Sequence, residues 1–427
     1  MKRFGEVQIR RDVRRRRVFY IPGYDPIHPR RYRELYRSEG AAQAGISGYE
    51  VGLVGRQGRG TYGWTVNGDI EGFSTEAEVD VLVWSDIVRG SMELGILQTY
   101  ALMVRTAWTY IASGALRRLM RLRKGPVMAA LYPVGMLVVQ AVVAGLVGWL
   151  VAVTFALLAA FVVESIAGPR LFAPLFYVEL LGGLVIGALA AWGVLRWFKK
   201  KDNKLFVYYL MHDYAYSARA KGANPPELEA RMADFADQIA EAMTSDVDEV
   251  LVVGHSSGAH LGVSILADLM RDGRLPEEGP ALGFLTLGQV VPMVSFLPDA
   301  GRLRRDLHDL ARCERIFWLD VTAPGDGCAF ALCDPVAVSG VAPEGQLWPR
   351  VISAAFTQTL SPERWRALRW RFFRLHFQYL CAFDRPGDYD YFRITAGPKS
   401  LAARFEDRRP SKSLISAPVN KFTSMPS

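Results

Sequence analysis

Short apolar runs alternate with longer amphipathic stretches at both ends of this chain, and between them lies a region that is apolar throughout. Residues 18–21 (Val-Phe-Tyr-Ile) form a compact apolar run bounded by the turn Pro22-Gly23-Tyr24-Asp25-Pro26, the pattern of a buried strand. Residues 30–42 have helical spacing. Residues 49–54, 61–66 and 79–84 are further strands, and 91–122 is mostly helical. After the apolar centre, 205–210 reads as a strand and 226–243 as an amphipathic helix opened by Pro226. Strands follow at 249–253, 282–290 and 315–320, with a helix at 259–270 between the first two. Residues 362–383 are helical and rich in aromatics. Residues 397–427, rich in Ser, Pro and Lys, read as a disordered tail.

Strands alternating with helices predict an α/β fold whose mainly parallel sheet has helices on both faces. The central region splits the pattern in two. Residues 127–163 contain no charge, although Pro133 and glycines 135, 145 and 148 interrupt them. A second apolar run, 171–198, carries Glu179 near its start. Each exceeds the ~20 residues that span a bilayer, so the pair predicts a transmembrane hairpin joined by the loop 164–170. The organisation expected is a first half-domain at 1–116, the hairpin with its flanks at 117–204, a second half-domain at 205–396 and the tail at 397–427. Two spans return the chain to its starting side, so the halves can fold together.

Charge sets the expected orientation. Arg117, Arg118, Arg121, Arg123 and Lys124 precede the first span, and Lys199, Lys200, Lys201 and Lys204 follow the second. Positive flanks stay in the cytoplasm, which places both termini and the folded domain there and the loop outside. The whole chain has 427 residues, half of them hydrophobic, and a formal charge of +8. Its mean hydropathy is +0.10. The arginines at 10, 11, 14, 15, 16 and 17 form a second basic cluster. With no nucleic-acid motif in view, the basic balance points to an anionic membrane surface or a solvated arm. Cys313, Cys328, Cys333 and Cys381 lack zinc spacing and read as free thiols of a reducing compartment. No apolar run follows Met1-Lys2-Arg3, so no secretory signal is expected. The glycine loop 55–60 matches no phosphate-binding pattern, and no metal or other cofactor is implied.

The stretch richest in chemistry is Gly254-His255-Ser256-Ser257-Gly258. A strand before it and a helix after it make it a candidate nucleophile elbow, in which a sharp turn lifts a serine oxygen clear of the sheet. Gly254 and Gly258 suit the tight turn and the close packing of helix on strand. The arrangement resembles the α/β-hydrolase superfamily across both half-domains, outside the hairpin and tail. That resemblance implies the chain order serine, acid, histidine. Ser256 would be the nucleophile, and His376 is the only histidine after the acid candidates. Asp326, in the loop after strand 315–320, is the first choice for the acid. Asp334 is the second, and Asp320 at the strand end caps the turn. His28, His212, His260 and His308 break the order, and His255 serves packing. The oxyanion donors would be the backbone N–H of Ser257 and of Tyr24, after the first strong strand.

The expectation is a membrane-anchored serine hydrolase acting on an ester or thioester, with proximity favouring a lipid or acyl substrate. The alternatives are an acyltransferase using the same triad and an inactive hydrolase-fold scaffold in the membrane. Expected partners are the lipid bilayer and the substrate, not nucleic acid.

Overall fold

In a computed structural model, residues 7–56, 61–167 and 172–426 are described. Parts of the glycine loop 55–60 and of the hairpin loop 164–170 lie outside them. The chain forms two compact units. The larger comprises Met1–Ser91, Thr109–Ala129 and Ser217–Ser427, and the smaller Met92–Trp108 and Ala130–Tyr216.

The larger unit is built on one eight-stranded sheet. Its strands are β1 (Arg15–Ile21), β2 (Glu50–Gly55), β3 (Gly63–Ile70), β4 (Phe73–Val81), β5 (Glu249–His255), β6 (Ala281–Leu287), β7 (Ile316–Thr322) and β8 (Arg350–Ser353). Their order is β2-β3-β4-β1-β5-β6-β7-β8. β1 runs parallel to β4 and β5, and β5 to β8 are all parallel. β2, β3 and β4 form an antiparallel meander. Every residue of β5, β6 and β7 is buried, as the continuous apolar runs of a covered parallel sheet require. On β6 the neighbours Gly283 and Phe284 face opposite ways. Phe284 packs on Gly262 of the helix Gly258–Arg271, while Gly283 lies under Leu401 of the helix Leu401–Phe405. Helices therefore cover both faces here. The strand order reverses between β1 and β5, and the crevice outside the carboxyl ends at such a switch is where open α/β sheets place ligands.

Three sequence expectations need correction. Residues 205–210 are helical, divided between Asp202–Leu205 and Val207–Arg219. The β-branched and aromatic run suggested a strand, but Val207, Leu210, Met211 and Ala215 are buried at helical spacing. Residues 397–427 are not a loose tail. Ser400 caps the helix Leu401–Phe405, and Ile415 bridges to Cys333. The Ser, Pro and Lys content hid these short apolar anchors. The region 362–383 is three short pieces, Pro362–Leu368, Phe372–His376 and Gln378–Leu380, rather than one helix. Four of the arginines at the start of the chain also form ion pairs with the folded domain. Arg11 meets Glu406, Arg15 meets Asp246, buried Arg16 meets Glu249, and Arg17 meets Asp80.

The smaller unit holds most of two long helices, Lys124–Ala167 and Phe172–Lys200. Both are long and apolar enough to cross a membrane, and only 6% and 11% of their most apolar windows are buried. A core helix of equal length would be covered. They meet through small residues. A Cβ at Gly148 would lie 2.7 Å from the Gly187 carbonyl oxygen, and one at Gly187 would lie 2.8 Å from the Ala152 Cβ. Such spacing lets helix backbones touch, the usual contact between helices in lipid. Leu102, Leu137, Val207, Tyr208, Met211 and Ala215 form a further apolar cluster in this unit.

Candidate active site

Tyr24, Ser256 and Asp326 lie just beyond the carboxyl ends of β1, β5 and β7, and His376 comes after β8. Ser256 follows β5 at once, and its φ of +57° puts a non-glycine residue in the left-handed region. That conformation costs of the order of 1 kcal/mol or more and persists only where surrounding packing enforces it. The packing is close on both sides. A Cβ at Gly254 would fall 2.7 Å from the Gly258 carbonyl oxygen, and one at Gly258 would collide with the Ile21 carbonyl. The Ser256 N–H donates to the Leu287 carbonyl at 2.9 Å, which ties the elbow to the end of β6. Ser256 and Ser257 remain partly exposed, and Ser257 is the N-cap of the 14-residue helix Gly258–Arg271. The positive end of that helix points to the elbow, a suitable place for developing negative charge.

Asp326 and His376 are brought together. Nδ1 of His376 lies 2.7 Å from Oδ2 of Asp326, with both side chains buried. The same oxygen accepts the Tyr379 hydroxyl at 3.0 Å, and Oδ1 accepts the Cys328 N–H at 2.9 Å. Burial alone would push this carboxyl up. The neighbouring His376 charge and these hydrogen bonds outweigh it and hold the carboxyl below its usual range. With Nδ1 committed, Nε2 of His376 is the free nitrogen. It is buried and has no hydrogen-bond partner among the described residues, Ser256 included.

The histidine is fixed from three sides. Gly288, just after β6, leaves no room for a side chain: a Cβ there would lie 2.9 Å from Cε1 of His376 and 2.7 Å from Tyr379. The His255 ring lies against the His376 ring at 4.9 Å, and its Nε2 lies 3.0 Å from the His376 carbonyl oxygen, to which it donates. Burial and the neighbouring His376 charge push His255 down to about 3, so it is a neutral support. The elbow and the imidazole thus share the end of β6, one bonded to Leu287 and the other packed on Gly288.

The loop after β1 passes the elbow. A Cβ at Gly23 would lie 3.0 Å from the Ser256 Cβ and 3.4 Å from its Oγ. The next residue, Tyr24, is buried, with its hydroxyl bonded to Ser91 and its ring edge-on to Trp84.

The second acid candidate is elsewhere. Asp334 caps the helix Pro335–Val338, accepting the N–H groups of Val336 and Ala337, and takes the Gln346 amide at 2.8 Å. Asp320 does not cap a turn. It lies in the core, where Oδ1 accepts the Thr286 hydroxyl at 2.6 Å and Oδ2 has no partner among the described residues. Burial pushes its carboxyl up to about 8. Among the other histidines, His308 lies 2.9 Å from the Val341 carbonyl, His28 accepts from the Arg30 N–H, and His260 is buried in its helix.

The sequence reading missed Tyr379, Cys328 and β8. Tyr379 lies three residues beyond His376, a spacing that brings side chains together on a helical turn. Cys328 lies two residues beyond Asp326, the spacing of an Asx turn. β8 is only four residues long, too short for a periodic signal. The donor atoms of Asp326, Cys328 and His376 lie within 4.8 Å of one another, a set able to hold a soft divalent ion. A metal there would compete with the Asp326–His376 hydrogen bond. Cys313, Cys328, Cys333 and Cys381 are not joined in disulfides.

This geometry stands by itself, because no protein-family model, no curated protein and no solved structure matches the chain.

Proposed function

We propose that this chain is a membrane-anchored serine hydrolase that cleaves an ester or thioester with Ser256, His376 and Asp326. One observation carries the reading. A buried carboxylate holds Nδ1 of a buried histidine whose Nε2 is unspent, beside a serine in the left-handed conformation of a strand-to-helix elbow. In this reading His376 Nε2 takes the Ser256 proton as Oγ attacks the carbonyl, and Asp326 stabilises the imidazolium. The backbone N–H groups of Ser257 and Tyr24 hold the oxyanion. The imidazolium then protonates the leaving group, and water activated by the same nitrogen releases the acyl chain. Catalytic hydrogen bonds often tighten only once substrate is bound, so an open Ser256–His376 pair fits a resting enzyme.

The low burial of the two apolar helices and the small-residue contact between them support two membrane spans. The basic residues at 117–124 and 199–204 support a cytoplasmic position for the catalytic domain and both termini. The test is turnover of a short-chain aryl ester by the full chain in lipid nanodiscs. Ser256→Ala should lower it by at least ~10⁴-fold with an unchanged melting temperature. Full activity in that variant refutes the reading.

A further inference from the structure

The segment that carries the histidine has a second side. Residues 364–374 read Arg-Trp-Arg-Ala-Leu-Arg-Trp-Arg-Phe-Phe-Arg, with no acidic residue. On the inner side, the Trp365 ring covers Gly325 and the Phe372 ring covers Gly327, so the segment lies over the Asp326 loop. Outward, Trp370 is 73% exposed and Phe372 47%. Two exposed rings two residues apart make a local apolar patch, and such patches mark interaction surfaces. Arg364 and Arg366 are neutralised by Glu39, Asp384 and Glu363. Among the described residues no acidic side chain pairs with Arg369, Arg371 or Arg374, all of them exposed. Arg369 instead stacks on Trp370, at 5.6 Å from its ring centre.

The other flank of the same loop is where the first apolar helix begins. Arg123 Nε donates to the Ala331 carbonyl at 2.7 Å, and a Cβ at Gly125 would lie 3.1 Å from the Gly327 carbonyl oxygen. Gly327 is therefore held between Phe372 and residue 125. The helix that begins at Lys124 runs on into the apolar stretch, so this loop, and the aromatic and arginine face with it, are tethered through residues continuous in sequence to the first membrane span.

We propose that residues 369–374 form a docking surface for the anionic bilayer in which the chain is anchored. Trp370 and Phe372 lie in the interface, where amphipathic rings collect. Arg369, Arg371 and Arg374 meet lipid phosphates, each strengthening attachment roughly fivefold. The inference rests on the membrane-spanning reading of the two helices and not on catalysis. Nucleic acid would also suit arginines and aromatics, but tethering beside residues 123–125 keeps lipid at high local concentration and nothing else.

The experiment is hydrogen–deuterium exchange of the full chain in nanodiscs, read on the backbone amides of 362–376. Discs rich in phosphatidylglycerol should slow exchange about tenfold relative to pure phosphatidylcholine. The combined Arg369→Gln, Arg371→Gln and Arg374→Gln variant should lose that slowing, and the corresponding Arg→Lys variant should keep it. Unchanged exchange of β5 shows that each variant is folded. Equal exchange in the two lipids overturns the docking surface while leaving the spans intact. Slowing by single-stranded RNA in neutral discs, without slowing by anionic lipid, overturns it in favour of a nucleic-acid surface. Release of the chain from membranes by alkaline carbonate defeats the membrane reading, and the docking surface with it.

Discussion

At the carboxyl end of the parallel sheet, most polar groups are buried and hydrogen-bonded, with His376 Nε2 left open. Asp326 has three donors, His255 spans Tyr20 and His376, and Ser256 is tied through its backbone to Leu287. Along the two apolar helices the arrangement is inverted. Leu146, Trp149, Leu150, Leu181 and Leu184 are exposed, and the close contact is made by Gly148, Ala152 and Gly187. In the first region burial is driven by water and limited by hydrogen-bond satisfaction. In the second the large side chains face outward, as they do where lipid replaces water, and only shape holds the helices together. On the membrane-spanning reading one chain obeys two solvents, and a substitution should act through different physics in each.

The sharpest break in the comparison comes from the acid. Asp326→Asn keeps the shape but removes the charge that orients His376. It should cost about 10²–10⁴-fold in ester turnover. The same change at Asp334 leaves turnover near that of the native chain. If Asp334→Asn is the damaging change, the acid assignment is wrong.

Asp320 gives a stability effect confined to the water-driven region. Its folded carboxyl, raised to about 8 by burial, keeps a proton that the unfolded chain gives up above about 4. Its stabilising contribution is complete below pH 4 and is lost as pH rises towards 8. Asp320→Asn should therefore melt close to the native chain at pH 4 and be more stable at pH 8, by up to a few kcal/mol. Thermal unfolding at the two pH values in detergent checks this, and a gain of equal size at both would contradict it.

In the apolar pair the expected failure is steric and indifferent to pH. Gly187→Val inserts atoms against Gly148 and Ala152 and should cost about 1–3 kcal/mol, read as a lower melting temperature with little change in ester turnover per folded molecule. The smallest effect is Asp334→Ala. It removes a helix cap for about 1 kcal/mol and leaves turnover intact.

Much of this was legible in the residues because local pattern settled it. The helix Pro226–Met243 has the bounds its periodicity predicts, and β1, β5 and the elbow follow from apolar runs ended by glycine or proline. The apolar helices are legible from length alone. What local pattern could not supply is which aspartate meets the histidine. Asp326 in Pro-Gly-Asp-Gly and Asp334 in Cys-Asp-Pro both accept backbone N–H groups two residues on, as turn aspartates do. Only the placement of His376 beyond β8 distinguishes them, and β8 is too short to be read. The order of the tail was hidden for a similar reason. Leu401, Phe405 and Ile415 anchor it singly across long sequence separations, a pattern without a period.

The most direct test of the central claim is mass-spectrometric mapping of a fluorophosphonate adduct on the full chain and on His376→Ala. The account predicts one modified peptide, carrying the adduct on Ser256, and near-complete loss of labelling when His376 is removed. An adduct on another residue, or undiminished labelling of Ser256 without His376, would contradict it.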